Sequence, residues 1–340
     1  ALPLFKKSIG TSSHGETPAL FHLAILFLLL VAFSTGINKA PLGTSISGIK
    51  GYLQVWPLMF VLALVKWDEK TMRAIPRVIF WIALIQLPFV LHQYLVIVPK
   101  RFGMGYGVVP VDIVAGTFGG DMNGGGSNAT LALFLIMTWA GVLALWKYTL
   151  LSNWRMLVAS VLLLFPLFLN ESKVSMIYLI MVFFSLYRED IVRRPHVFVL
   201  GLAFLGVLLT GLLTSYVAIH ASENNTTMGA YVQQTIDENI GDKRSNWSMY
   251  LNRYSVYGFW AARHGLNDPV HTPVGHGLAQ SKEAAGAIPI SNLATQQFQG
   301  MGIGLTSLSS MLWDVGVLGT GCILAMFWWG WRVSRYIARR

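Results

Sequence analysis

Leu23–Phe33 reads LAILFLLLVAF, eleven consecutive residues without a polar side chain. The string is the centre of a longer run, Pro18–Thr35, and its reading decides the fold. About 20 mainly apolar residues in a helix match the thickness of a bilayer's hydrocarbon layer. Working outward, seven more runs follow: Gly51–Val65, Pro76–Val98, Asn128–Trp146, Trp154–Leu169, Lys173–Tyr187, Pro195–Ile219 and Leu305–Trp331. Backbone polar groups cannot stay unpaired in lipid, so the runs are expected to be helices, and no ten-residue alternating segments suggest a barrel. A hydrophobic share of 54% against 12% charged residues excludes an ordinary soluble composition. The expected fold is an all-α integral membrane protein with about eight or more transmembrane helices. Its parts are 1–220 with seven spans, a polar stretch 221–303, and 304–340 with the last span and a basic tail. The second, fifth and sixth runs are shorter than 20 residues, so their ends are the least defined.

Loop charge orients the helices. Lys6, Lys7, Lys66, Lys70, Arg73, Arg77, Lys147, Arg155, Arg188, Arg193, Arg194, Arg332, Arg335, Arg339 and Arg340 fall on one side. The short loops of the other side carry Lys39, Lys50, Lys100, Arg101 and Lys173. Basic short loops stay cytoplasmic, so both termini are expected inside and the 221–303 stretch outside. The net charge of +10 reflects this topology and anionic lipid. Its cations are scattered over helix ends, which is not a nucleic-acid footprint. The first run is long enough to read as a span rather than a cleavable leader. Cys322 is the single cysteine, so no internal disulfide forms.

Four outer segments then share one surface: Asn38–Lys50, Pro99–Ser127, Asn170–Ser172 and 221–303. In the second, Gly116–Thr130 reads GTFGGDMNGGGSNAT. It lacks the GK[ST] ending of a phosphate loop. It is either a flexible re-entrant loop or a backbone surface for a polar ligand, with Asp121 and Asn123 in it. In the third, Lys173 follows Asn170 and Glu171 in a tight hairpin. It either binds an anion or snorkels beside Glu171. In the fourth, Tyr231–His264 reads as one or two helices lying on the membrane surface. Arg253, Tyr257, Trp260 and His264 recur at helical spacing, a face that suits either pyrophosphate and sugar or the lipid headgroup layer. HGLNDPVHTPVGHG, His264–Gly277, holds three histidines. His264 and His271 are separated by a proline and lack the spacing of a zinc site, so no metal is expected. The alternatives are a loop with one working histidine, His276, or one with no chemistry. Asp314 is an acidic residue within a helical run, either functional or capping a polar neighbour.

The order of these features resembles the bacterial O-antigen polymerase and ligase superfamily, membrane glycosyltransferases that act on lipid-diphosphate-linked glycans. GTFGGDMNGGGSNATLALFLI is similar to the family's "G-x-F…N" loop entering a helix. LNESKVSMIYLI is similar to its "T-x-S-R" helix turn, with Lys173 where arginine is usual. LNRYSVYGFWAARHGLNDPVHTPVGHG resembles the "R…W…P-x-x-G-x-G" block, with Arg253, Trp260 and the Pro273–Gly277 turn in register. SLSSMLWDVGVLG resembles the closing "L…E-x-G-x-x-G" helix, with Asp314 in place of glutamate. The likeness covers roughly residues 110–320. The ligase branch has a histidine just before that closing helix. Ile303–Ser307 has none, which favours polymerisation over ligation.

The resemblance implies a GT-C-like architecture in the bacterial inner membrane, with the active site facing the periplasm. It implies transfer of a glycan from a polyprenyl diphosphate to a sugar hydroxyl of a lipid-linked acceptor, with inversion and without metal or other cofactor. Membrane lipids and chain-length regulator or export proteins are the further partners. The departing diphosphate must be met by fixed cations. Arg253, Lys173 and Arg244 could supply them, while Asn123, Tyr257 and Trp260 are candidate contacts for the glycan. The general base is left open among His276, His264, Asp121, Glu171 and Asp314. Transfer to a lipid A-core acceptor and transport of the lipid-linked glycan are the competing readings. Transporters usually show inverted repeats, and none is found between the two halves.

Overall fold

A computed structural model of the protein describes residues 17–58, 60, 67–102, 110–120, 122, 127–224, 227–240, 251–282 and 291–339. Those residues are helical, with loops and turns between the helices. Among the described residues, five helices are long and apolar enough to cross a membrane: Ala19–Ile37, Glu69–Arg101, Asn128–Lys147, Pro195–Ile219 and Ser307–Arg335. Their outward faces carry bulky apolar side chains, with Leu29, Val207 and Phe327 at 61%, 74% and 73% exposure. So much exposed apolar surface is tolerable where lipid covers it. The described residues are those of an all-helical membrane protein.

The remaining three apolar runs differ from full spans. Asn153–Leu169 and Val174–Tyr187 are apolar helices of 17 and 14 residues. At 1.5 Å per residue they are about 25 Å and 21 Å long, shorter than a full hydrocarbon crossing. The run from Gly51 is interrupted. A helix over Leu42–Leu53 ends there, Gln54 and Val55 form a turn, and helix resumes at Trp56. Pro57 supplies the reason: it has no N–H to bond the Leu53 carbonyl. Residues 61–66 lie outside the described set.

The chain divides into two compact units, Ala1–Lys66 with Gln233–Arg340, and Trp67–Val232. In the second unit, Leu131, Leu135, Leu163, Leu167, Leu179 and Leu212 are fully buried and form the centre of a helical bundle. The Trp139 indole donates to Ser160 Oγ across two of its helices at 2.9 Å. The Glu69–Arg101 helix contains a π-helical stretch, Gln93–Ile97. There Gln93 Oε1 accepts from the Ala115 and Gly116 amides, at 3.0 and 2.7 Å. About two turns earlier, Gln86 Oε1 accepts from the Thr117 amide at 2.8 Å. Buried Gln86 and half-buried Gln93 thus tie the start of the glycine-rich loop, Ala115–Thr117, to this helix, so its entry is anchored. Asp121 and Asn123–Gly126 lie outside the described residues.

In the first unit, the Thr17–Ile37 helix packs along the last helix, Ser307–Arg339. Ala24, Phe27, Val31 and Trp56 share a core with Leu278, Val315 and Cys322. The polar stretch begins after the Pro195–Asn224 helix. It contains helices at Met228–Asn239, which begins in the second unit, and Ser255–Arg263, where one or two helices over Tyr231–His264 are expected. Residues 241–250, with Lys243 and Arg244, are outside the described set.

The orientation makes a testable statement. Leu266, in the polar stretch, is fully exposed. With native Cys322 replaced by Ala, a Leu266→Cys chain should react with a membrane-impermeant maleimide in intact cells. Labelling only after permeabilisation would reverse the topology.

Candidate functional site

The first unit brings the three histidines together. His264 caps the end of the Ser255–Arg263 helix, after which Gly265, at φ 47°, turns the chain back. Asp268 Oδ1 accepts from the His271 amide at 2.9 Å and so starts the one-turn helix His271–Val274. Gly275, at φ 73°, ends that turn and delivers His276. The result is a contact of 2.8 Å between the Nε2 atoms of His264 and His276. His271 stacks on His276, with ring centres 4.1 Å apart and planes within 9°. Trp260 stacks on His264, and Trp313 meets His264 edge-on at 4.6 Å. Trp260 is therefore a wall of the histidine cluster on one face.

Hydrogen-bond partners fix the protons. The Trp260 carbonyl can only accept, so His264 Nδ1, 3.1 Å away, carries the hydrogen and its Nε2 presents a lone pair. His271 Nδ1 faces Asp268 Oδ2 at 2.7 Å, and its Nε2 faces Asn38 Oδ1 at 2.9 Å. Asn38 uses Nδ2 to donate to the carbonyls of Ser34 and Gly275, at 2.8 and 3.1 Å, which fixes its oxygen toward His271. Both nitrogens of His271 thus face side-chain oxygens. Burial pushes His276 down to about 4, helped by the positive fields of His271 and His264. Burial likewise lowers His264. Burial opposes ionisation of Asp268, but the His271 amide and ring outweigh it and hold the carboxyl below its usual range. At neutral pH the cluster holds two bare imidazoles and a carboxylate.

The platform under this cluster is the crossing of two main chains. The last helix has a non-helical residue, Gly316, at φ 65° and ψ −168°. Next to it, the amides of His276 and Gly277 donate to the Trp313 and Asp314 carbonyls, at 2.8 and 2.9 Å. Asp314 is fully buried. Its Oδ2 accepts from the Tyr52 hydroxyl and the Ala279 amide, at 2.9 and 3.0 Å, and its Oδ1 accepts from the Ser281 amide at 2.8 Å. The carboxylate therefore works as a clamp on the 277–281 segment. Those bonds give it a capping role, one of the two readings open to it.

The other candidate residues are placed as follows. Arg253 lies in the turn before the Ser255–Arg263 helix, not on it, so the expected four-residue face reduces to Tyr257, Trp260 and His264. Arg253 is exposed and has no polar partner among the described residues. The Tyr257 hydroxyl shares a 2.8 Å hydrogen bond with Thr306 Oγ1, tying its helix to the start of the last one. Lys173 and Glu171 belong to the second unit. The ammonium of Lys173 sits 4.9 Å over the Tyr231 ring, and the Tyr231 hydroxyl donates to Glu171 Oε1 at 3.1 Å. Glu171 adopts φ 45°, uncommon outside glycine. The hairpin is rigid because Asn128 and Asn170 donate to each other's carbonyls, at 3.0 and 3.2 Å. Arg101 and Lys173 both act on the Asp112 carboxylate, and Arg101 is buried rather than loop-exposed.

Asn38, Asp268 and Trp313 are site residues that sequence reading did not single out. An available signal was the density of one aspartate and three histidines within 264–276, broken by glycines and prolines that let the chain reverse. Compared with known proteins, the chain matches no family model, no curated protein and no solved structure.

Proposed function

We propose that the protein is a polysaccharide polymerase, a glycosyltransferase that extends a lipid-linked glycan with units from a polyprenyl diphosphate. The reading places it in the bacterial inner membrane, with both termini cytoplasmic and the 221–303 stretch on the periplasmic face. The acceptor hydroxyl oxygen attacks the anomeric carbon, the carbon–oxygen bond to the diphosphate breaks, and the hydroxyl proton passes to a base. Polyprenyl diphosphate leaves, and the anomeric carbon inverts. The observation that supports this most is the local order of Leu251–Gly277, the segment with the most family-like pattern. It offers an exposed guanidinium, Arg253, with no polar partner among the described residues, ahead of a helix whose end holds neutral imidazoles in an aromatic wall. A guanidinium presents a fork suited to diphosphate oxygens. The base remains among His276, His264, Asp121 and Glu171.

The test is chain growth by the purified full chain in liposomes with polyprenyl-diphosphate-linked repeat units. A ladder of longer glycans, still lipid-linked, with release of polyprenyl diphosphate, is the expected result. Movement of unmodified substrate across the bilayer would replace the reading with transport. Extension seen only with a lipid A-core acceptor would make the protein a ligase.

A further inference from the structure

We propose that His264, Asp268 and His276 form a binding site for one divalent transition-metal ion of the zinc class. One ligand atom from each lies within 4.8 Å of the others, and the three come from the end of a helix, a turn and a glycine-bounded loop. Two nitrogens and one carboxylate oxygen form a set suited to zinc, cobalt or nickel, whereas magnesium and calcium favour all-oxygen shells. The 2.8 Å contact between two imidazole Nε2 atoms needs something positive between them, either a proton or an ion. With metal–nitrogen bonds of about 2.0–2.1 Å at a tetrahedral angle, the nitrogens would stand about 3.3 Å apart. The rings need open by only about half an ångström.

The surroundings are those of a metal centre rather than of a chance grouping. Ligating histidines usually donate their other N–H to a carbonyl or carboxylate, and ligating carboxylates are themselves hydrogen-bonded. His264 Nδ1 donates to the Trp260 carbonyl. Asp268 accepts from the ring and the amide of His271, and His271 is held in turn by Asn38. Three protein ligands leave a tetrahedral ion one position for an exchangeable oxygen donor. The proposal departs from the metal independence that the family resemblance implies. It stands apart from the glycosyl-transfer reading, because the ion can be measured whether or not sugars are transferred.

The full chain, purified without a polyhistidine tag and stripped with a chelator, is titrated with Co²⁺. Visible absorption and calorimetry follow binding, and thermal unfolding is recorded with and without Zn²⁺. One ion per chain is expected, displaced by Zn²⁺ and not by millimolar Mg²⁺. Asp268→Ala and His276→Gln should each weaken binding at least tenfold and abolish the Zn²⁺-dependent rise in Tm. His196→Gln, an exposed histidine far along the sequence, should bind as wild type. The proposal is overturned if the wild-type chain binds neither Co²⁺ nor Zn²⁺ saturably. It is equally overturned if both site variants bind as tightly as wild type. Should a variant fold poorly, the stoichiometry and Zn²⁺-dependent Tm of the wild-type chain decide the matter.

Discussion

Arg253→Lys should reduce polymer formation roughly a hundredfold with undiminished protein levels. A preorganised donor to a developing anion is worth about 10²–10³ in rate, and lysine keeps the charge while losing the planar fork. The geometry argues that this residue is free for the task. It is exposed, precedes the helix that carries Trp260 and His264, and is engaged by no polar group among the described residues. Arg263, ten residues on, is the contrasting cation. Its guanidinium lies 5.3 Å over Phe259 and 5.1 Å over Phe298, so its role is to cover aromatic surface. Arg263→Lys retains a cation over those rings and should keep most of the activity. The measurement is the rate of glycan chain growth at equal, folded protein. Wild-type rates in Arg253→Ala would remove the residue from diphosphate binding.

These two arginines also show what is legible in a sequence and what is not. Spans are written in composition, because lipid penalises every polar residue along a helix independently of the rest of the fold. That is why the runs at Pro18–Thr35, Asn128–Trp146, Pro195–Ile219 and Leu305–Trp331 reappear as long helices within a few residues. The break after Leu53 is a matter of one missing N–H at Pro57, which a hydropathy reading passes over. The face shared by Arg253, Tyr257, Trp260 and His264 assumes that one helix covers all four positions. An Asx turn intervenes: Asn252 Oδ1 accepts from the Tyr254 and Ser255 amides and starts the helix two residues after Arg253. The histidine cluster is harder still. His264, His271 and His276 fit no local ligand spacing, and they meet because Gly265 and Gly275 take positive φ. Asn38, which orients His271, comes from more than 200 residues away. Contacts of that kind depend on tertiary packing and leave no local period to read.

Gly275→Ala should cost about 4 kcal/mol of stability, or prevent folding, from backbone strain of ~1–3 kcal/mol and overpacking of ~1–3 kcal/mol. Gly275 has φ 73° and ψ −172°, a region that side chains avoid. A Cβ there would stand 2.5 Å from the Asp314 carbonyl carbon and oxygen and 2.6 Å from the Gly316 nitrogen. All three are main-chain atoms, so no rotamer change relieves the overlap. Gly316 makes the reciprocal demand, with its Cβ position 2.4 Å from the Pro273 carbonyl. The two glycines let the loop and the last helix approach closely enough for His276 and Gly277 to bond Trp313 and Asp314. Separating them would release the Asp314 clamp and pull His276 from His264, so lost stability and lost metal binding should travel together. Gly258→Ala supplies the control. It lies on the exposed side of the Ser255–Arg263 helix with nothing within 4 Å, and alanine there should stabilise by up to about 1 kcal/mol through helix propensity. Thermal unfolding of both variants in the same detergent measures the contrast. If Gly275→Ala melts with the wild type, the crossing of the two chains does not hold this half of the fold together.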